Sequence, residues 1–99
     1  MGLEDLPEIS GVVTELSRPI EIAERAKITL RKSDGTTERR EVFVIGIAER
    51  DNLGVDEFEY EVIHGKKLSQ GKYLVYLTRD GDPKIRASIL TSVIHYRKR

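Results

Sequence analysis

Apolar and polar residues alternate along most of this chain with the period of two that is typical of β-strands. In residues 26–32, for example, Ala26, Ile28 and Leu30 alternate with basic and hydroxyl side chains. Residues 39–48 carry apolar side chains on both faces, which predicts a strand that is central or covered on both sides. The pattern predicts six strands, at residues 9–16, 26–32, 39–48, 57–62, 72–78 and 84–97.

Two Asp-Gly dipeptides separate pairs of these strands. Asp34-Gly35 lies between the second and third, and Asp80-Gly81 lies between the fifth and sixth. Asp-Gly between two such runs is the strongest short-range signal for a β-hairpin. Six strands joined by short turns, with no convincing helix, predict an all-β fold. We expect a meander-like antiparallel arrangement, either a small barrel or a two-layer sandwich.

The last predicted strand is unusually long. At about 3.3 Å per residue, residues 84–97 would span about 45 Å, which exceeds a usual strand. We therefore expect this segment to bend, break or leave the domain. From Leu90 onward its second face becomes apolar, through Leu90, Ile94 and Tyr96. This predicts that the segment either crosses between sheets or pairs with another subunit.

The length of 99 residues predicts a single domain. Residues 1–8 are acidic and are expected to form a flexible leader, followed by one β domain over residues 9–99. No apolar stretch approaches the roughly 20 residues that cross a bilayer, and no apolar signal region is present. We expect a cytoplasmic protein that does not contact membranes.

Composition adds two constraints. Cysteine is absent, which excludes disulfides, thiolate nucleophiles and Cys-based zinc sites. Charged residues make up 34% of the chain, while Asn and Gln occur once each. Many charges with few labile side chains are typical of heat-adapted proteins. This predicts a source among thermophilic microbes or their viruses, including archaeal viruses.

No motif for catalysis or cofactor binding is present. His64 and His95 lie in no metal-ligand pattern, and no serine lies in a Gly-x-Ser-x-Gly elbow. The glycines form no phosphate-binding loop, and the acidic cluster at residues 51–61 lacks the spacing of a calcium loop. We expect a non-enzymatic protein with no metal, no cofactor and no small-molecule substrate.

Charge is segregated although its formal sum is zero. Residues 64–99 hold nine basic and two acidic side chains. Clustered bases attract polyanions, and β-sheet proteins that bind single strands combine cationic grooves with aromatic platforms. This predicts binding of single-stranded DNA or RNA. The predicted nucleic-acid-binding residues are Lys72, Tyr76, Lys84, Arg86, Arg97, Lys98 and Arg99.

Two further expectations concern the shape of this surface. Tyr76 and Arg86 should lie on neighbouring antiparallel strands and share an open face. Bases that flank the first hairpin could extend the surface; they are Arg31, Lys32, Arg39 and Arg40.

The alternative is a structural or interaction protein that forms homo-oligomers. Its long final strand would pair with another chain by edge addition. Leu90, Ile94 and Tyr96 would then form the apolar interface. The sequence leaves both alternatives open.

Overall fold

Six β-strands form a single sheet in the computed structural model, which describes residues 3–9, 24–32, 34–53, 60–62, 70–79 and 85–98. The strands are β1 (Glu24–Arg31), β2 (Thr37–Glu49), β3 (Tyr60–Val62), β4 (Lys72–Leu77), β5 (Ile85–Ile89) and β6 (Val93–Lys98). The described residues also include three short 3-10 helices, at Leu3–Asp5, Arg50–Asn52 and Leu90–Ser92. None of the described residues belongs to a helix long and apolar enough to cross a membrane.

The order across the sheet is β3-β5-β4-β2-β1-β6. All neighbours pair antiparallel except β3 and β5, which pair parallel. The all-β prediction is therefore confirmed. Because β3 and β6 lie at the two ends of the order, the described sheet is open and does not close into a barrel.

The first predicted hairpin is confirmed. Gly35 has a φ of +88°, a conformation that favours glycine. A carboxylate oxygen of Asp34 accepts hydrogen bonds from the Thr36 amide at 2.9 Å and the Thr36 hydroxyl at 2.6 Å. The second Asp-Gly turn lies outside the described residues, although β4 and β5 pair antiparallel as predicted.

Two hydrophobic cores lie on opposite faces of β4. Tyr73, Val75 and Leu77 belong to the first core, whereas Leu74 and Tyr76 belong to the second. The first core also contains Ile45, Ala48, Leu53, Ile85 and Ala87. The second core also contains Ala26, Ile28, Leu30, Val42, Val44 and Val93. β4 is thus covered on both faces, in agreement with its nearly continuous apolar sequence.

The long C-terminal segment breaks into two strands. The 3-10 turn Leu90–Ser92 separates β5, which pairs with β4, from β6, which pairs with β1. The prediction that this segment bends or breaks is confirmed. Its second half pairs with a strand of the same chain on the far side of β2.

A β-bulge interrupts the pairing of β6 with β1. Thr29 pairs with His95, but Leu30 pairs with Val93, so Ile94 is an extra residue on β6. A bulge of this kind turns neighbouring side chains towards one face. Ile94 and His95 are accordingly both exposed, whereas Val93 is buried in the second core.

The bulge and the 3-10 turn correct the predicted interface. Strict alternation would place Leu90, Ile94 and Tyr96 on one apolar face. In the structure, Leu90 and Tyr96 pack against the second core, while Ile94 is 44% exposed on the opposite face. The three residues therefore do not form one surface stripe.

The described part of the predicted leader packs against the sheet. The Pro7 carbonyl accepts a hydrogen bond from the Ile47 amide at 2.9 Å, and the Ile9 amide donates to the Ile47 carbonyl at 2.8 Å. Gly46 allows this approach, because a Cβ atom there would lie 2.6 Å from the Pro7 oxygen. The leucines of this segment pack against the second core. The described N-terminal residues therefore contact the sheet through backbone hydrogen bonds and apolar side chains.

Candidate nucleic-acid interface

An open groove of about 760 Å³ crosses the face of β6, β1 and β2 that points away from the second core. We call this face the outer face and the groove the cationic groove. Its lining residues are Lys27, Ile28, Thr29, Thr37, Arg39, Arg40, Glu41, Ile94, His95 and Arg97.

Strand register explains why basic side chains from three strands meet here. Lys27 of β1 lies directly opposite Arg97 of β6 on one side and Glu41 of β2 on the other. In the next row on the same face, Thr29 lies opposite Arg39 of β2. Directly opposite residues in antiparallel strands have Cβ atoms about 4.5–5.5 Å apart. The groove therefore brings together residues that are up to 70 positions apart in the chain, as Lys27 and Arg97 are.

Basic side chains outnumber acidic side chains in the groove. Lys27, Arg39 and Arg97 are exposed, and none of them forms an ion pair with a carboxylate of the described residues. Glu41 is the one acidic side chain in the described lining. An excess of cations in a concave surface concentrates positive potential and attracts anions.

Arg40 differs from these cations in two respects. It lies opposite Ile28 of the second core, so it alternates onto the other face of β2, and it has an acidic partner. Its Nε lies 2.7 Å from a carboxylate oxygen of Glu38. This hydrogen bond, together with the positive charge of Arg40, lowers the pKa of Glu38 below its ordinary value. Part of the basic character of the first hairpin is thus neutralised locally.

Tyr76 does not form the exposed aromatic platform predicted from the sequence. Its side chain is fully buried in the second core, and its hydroxyl lies 2.9 Å from that of Ser88. Burial raises the pKa of Tyr76 to about 12. The prediction treated β4 as a strand with one open face, although its nearly continuous apolar sequence is typical of a strand that is covered on both faces.

Arg86 lies directly opposite Tyr76 on β5, so their placement on neighbouring antiparallel strands is confirmed. The two residues do not share an open face, however. Arg86 is half-buried, and burial followed by the charge of Arg40 lowers its pKa. This pair therefore belongs to the interior side of the sheet and not to the cationic groove.

The remaining predicted residues are dispersed. The Lys72 ammonium lies 3.5 Å from a Glu8 carboxylate oxygen, in a separate groove of about 420 Å³. The Lys98 ammonium lies 3.4 Å from a carboxylate oxygen of Glu24. Lys84 and Arg99 lie outside the described residues. Among the described members of the predicted set, Arg97 alone lines the cationic groove.

Sequence reasoning missed Lys27, Thr29 and His95 and treated Arg39 as peripheral. The sequence does contain a signal that places residues of β1 and β2 on the same face. The Asp34-Gly35 turn fixes the register of its hairpin, and the period of two then places Lys27, Thr29 and Arg39 on one face. The addition of β6 to this face depends on long-range pairing and has no local signal.

No three His, Asp or Glu side chains in the described ranges are grouped closely enough to hold a metal ion. A scan against protein-family models finds no match for the chain, and searches of curated proteins and of solved structures find none either.

Proposed function

We propose that this chain is a non-enzymatic binding module for single-stranded nucleic acid, and that the cationic groove holds the phosphates of the ligand. The observation that carries the proposal is the convergence of Lys27, Arg39 and Arg97, exposed and without ion pairs to described carboxylates. Neutralisation of phosphates by Lys and Arg supplies a large share of the affinity of nucleic-acid-binding proteins.

The spacing of side chains along β1 suits an extended strand. Arg25, Lys27, Thr29 and Arg31 follow one another on the outer face, and alternate residues of a strand lie about 6.6 Å apart. Consecutive phosphates of an extended single strand have a similar spacing. The Arg25 guanidinium lies 5.0 Å from the centre of the Phe43 ring, a cation–π contact that orients this end of the row.

The alternative function, assembly through the final strand, has one observation in its favour. β6 lies at an end of the described sheet, so one of its edges has no described partner strand. The bulge at Ile94 and the basic residues Arg97 and Lys98 weigh against edge pairing, because bulges and cations protect sheet edges. A register that placed Arg97 or Lys98 of two copies opposite each other would also bring like charges together.

A salt titration of binding tests the proposal. The probe is a fluorescein-labelled oligothymidine of about 16 nucleotides, followed by fluorescence anisotropy. Between about 50 and 200 mM salt, we expect log K to fall against log salt with a slope of about −2, since each of three phosphates contributes about −0.7. Absence of a complex at the lowest salt would overturn the proposal.

Lys27→Ala and Lys72→Ala form a matched pair, because each removes one exposed lysine from a strand. Lys27→Ala should weaken binding and reduce the magnitude of the slope by about 0.7. Lys72→Ala should leave both unchanged, since Lys72 lies beside Glu8 in the separate groove. Light scattering on the same samples tests the alternative, which requires a concentration-dependent oligomer without nucleic-acid binding.

A further inference from the structure

We infer that the β-bulge in β6 builds a base-contacting site within the cationic groove, at which Ile94 and His95 lie against the nucleobases of a single strand. The inference rests on the proposed function and names the part of the ligand that the groove recognises besides phosphate. These two consecutive residues, which both face the groove, would distinguish a single strand from other polyanions.

The first observation is the position of Ile94. It is the exposed large hydrophobic residue of the described chain, at 44% exposure, and it lines the groove that contains Lys27, Arg39 and Arg97. A single exposed apolar residue needs no explanation on an ordinary surface. Here it lies among cations that have no described acidic partners, so a ligand held by these cations also contacts an apolar side chain.

The second observation is the bulge that exposes it. In a regular strand, Ile94 and His95 would point to opposite faces, and one of them would enter the second core. The register shift between the Thr29–His95 and Leu30–Val93 pairs turns both outward. Bulges often re-aim side chains beside functional sites, at the expense of regular pairing.

The side chains of Ile94 and His95 suit some polyanions better than others. Ile94 offers an apolar surface, and His95 offers a flat ring. Inorganic polyphosphate has no apolar part, and the bases of a duplex are stacked in its interior. The bases of a single strand are free to lie against such side chains, and this contact tolerates any sequence because every base has a flat face.

Ile94→Ala and His95→Ala test the inference, each measured against three ligands at one salt concentration. The ligands are oligothymidine, a DNA duplex and inorganic polyphosphate of matched charge. Each variant should bind oligothymidine with about tenfold lower affinity, which is near the low end of the loss that alanine substitution causes at one base contact. Its affinity for polyphosphate should change by less than about twofold. The salt slope should not change, because no phosphate contact is removed.

Thr91→Ala is the control, since Thr91 is exposed in the preceding 3-10 turn and does not line the groove. Equal losses for oligothymidine and polyphosphate, or no loss for either, would overturn the inference while the phosphate-binding proposal still stood. Tighter binding of the duplex by the unaltered protein would overturn it as well. If the unaltered protein bound no ligand at low salt, the proposed function would fail together with it.

Discussion

Arg97 and Lys98 are consecutive on β6, yet only the first contributes to the cationic groove. Arg97 lies opposite Lys27 and lines the groove, whereas the Lys98 ammonium lies 3.4 Å from a carboxylate oxygen of Glu24. Alternation along the strand separates the two side chains onto opposite faces. Adjacent positive charges in the sequence therefore have different surroundings in the fold.

This relationship gives a sharp test of the proposed interface. Arg97→Gln and Lys98→Gln each remove one positive charge from neighbouring positions of β6. We expect Arg97→Gln to weaken oligothymidine binding and to reduce the magnitude of the salt slope by about 0.7, and Lys98→Gln to leave the slope unchanged. Fluorescence anisotropy measures both. Equal effects would mean that binding depends on total charge and not on the groove.

The two tyrosines of the second core should respond differently to loss of their hydroxyl groups. Tyr76→Phe leaves the buried Ser88 hydroxyl without its partner and should lower the free energy of unfolding by about 1 kcal/mol. The Tyr96 hydroxyl is buried and has no hydrogen-bond partner among the described residues. Tyr96→Phe should therefore leave stability unchanged or raise it by up to about 1 kcal/mol.

Unfolding in urea, followed by circular dichroism, measures both changes. Because the two substitutions remove the same atom from the same residue type, they control for each other. A larger loss for Tyr96→Phe than for Tyr76→Phe would contradict this account of the second core.

Gly46 should be required for docking of the N-terminal segment. In Gly46→Ala the new methyl group would lie 2.6 Å from the Pro7 oxygen, so the segment must shift. We expect a loss of about 1–3 kcal/mol, as for other overpacked sites, and faster hydrogen exchange of the Ile47 amide, which donates to Pro7.

Gly35→Ala is the comparison, because it strains a turn with a φ of +88° but has open space around the new methyl group. It should cost about 1 kcal/mol without selectively accelerating exchange at Ile47. Nuclear magnetic resonance resolves the individual amides. Unchanged exchange at Ile47 in Gly46→Ala would show that the contact is not needed for docking.

Stability should decline in acid partly through Glu38. The hydrogen bond from Arg40 lowers the pKa of Glu38 in the folded state below its ordinary value of 4.5. A lowered folded-state pKa means that the ionised form stabilises the fold. This contribution is complete above pH 4.5 and is lost as the pH falls through the folded-state pKa.

Asp34 acts in the same direction, because hydrogen bonds from Thr36 lower its pKa below 3.8. Urea unfolding at several values between about pH 6 and pH 3 tests the sign. Glu38→Gln should be less stable than the unaltered protein at neutral pH and should show a shallower decline in acid. Parallel pH profiles for the two proteins would rule out a contribution from Glu38.

The sequence predicted much of the fold because its signals are local. Alternation at residues 26–32 and 39–48 anticipated β1 (Glu24–Arg31) and β2 (Thr37–Glu49), and Asp34-Gly35 marked the hairpin between them. These features depend on residues close together in the chain. The predicted strand at residues 9–16 lies almost entirely outside the described residues, so it stays a prediction.

The candidate site was predicted far less well. Tyr76 is an aromatic residue of the kind that forms a stacking platform, but its side chain is buried among the residues of the second core. Counting alternate residues assigns each residue after Leu90 to one face of the strand, but the 3-10 turn and the bulge change that alternation. A one-residue shift exchanges the two faces of a strand, so an unseen irregularity reverses every assignment beyond it.

The sequence by itself determined the all-β class, the first hairpin and the uneven distribution of charge, because periodicity and turn chemistry act over a few residues. Only the tertiary structure decided which cations meet. The pairing of β6 with β1 places Arg97 beside Lys27. Lys72 and Lys98 lie outside the groove and form ion pairs with Glu8 and Glu24. Contacts between distant strands depend on how the whole sheet buries its apolar faces, and no local pattern specifies that outcome.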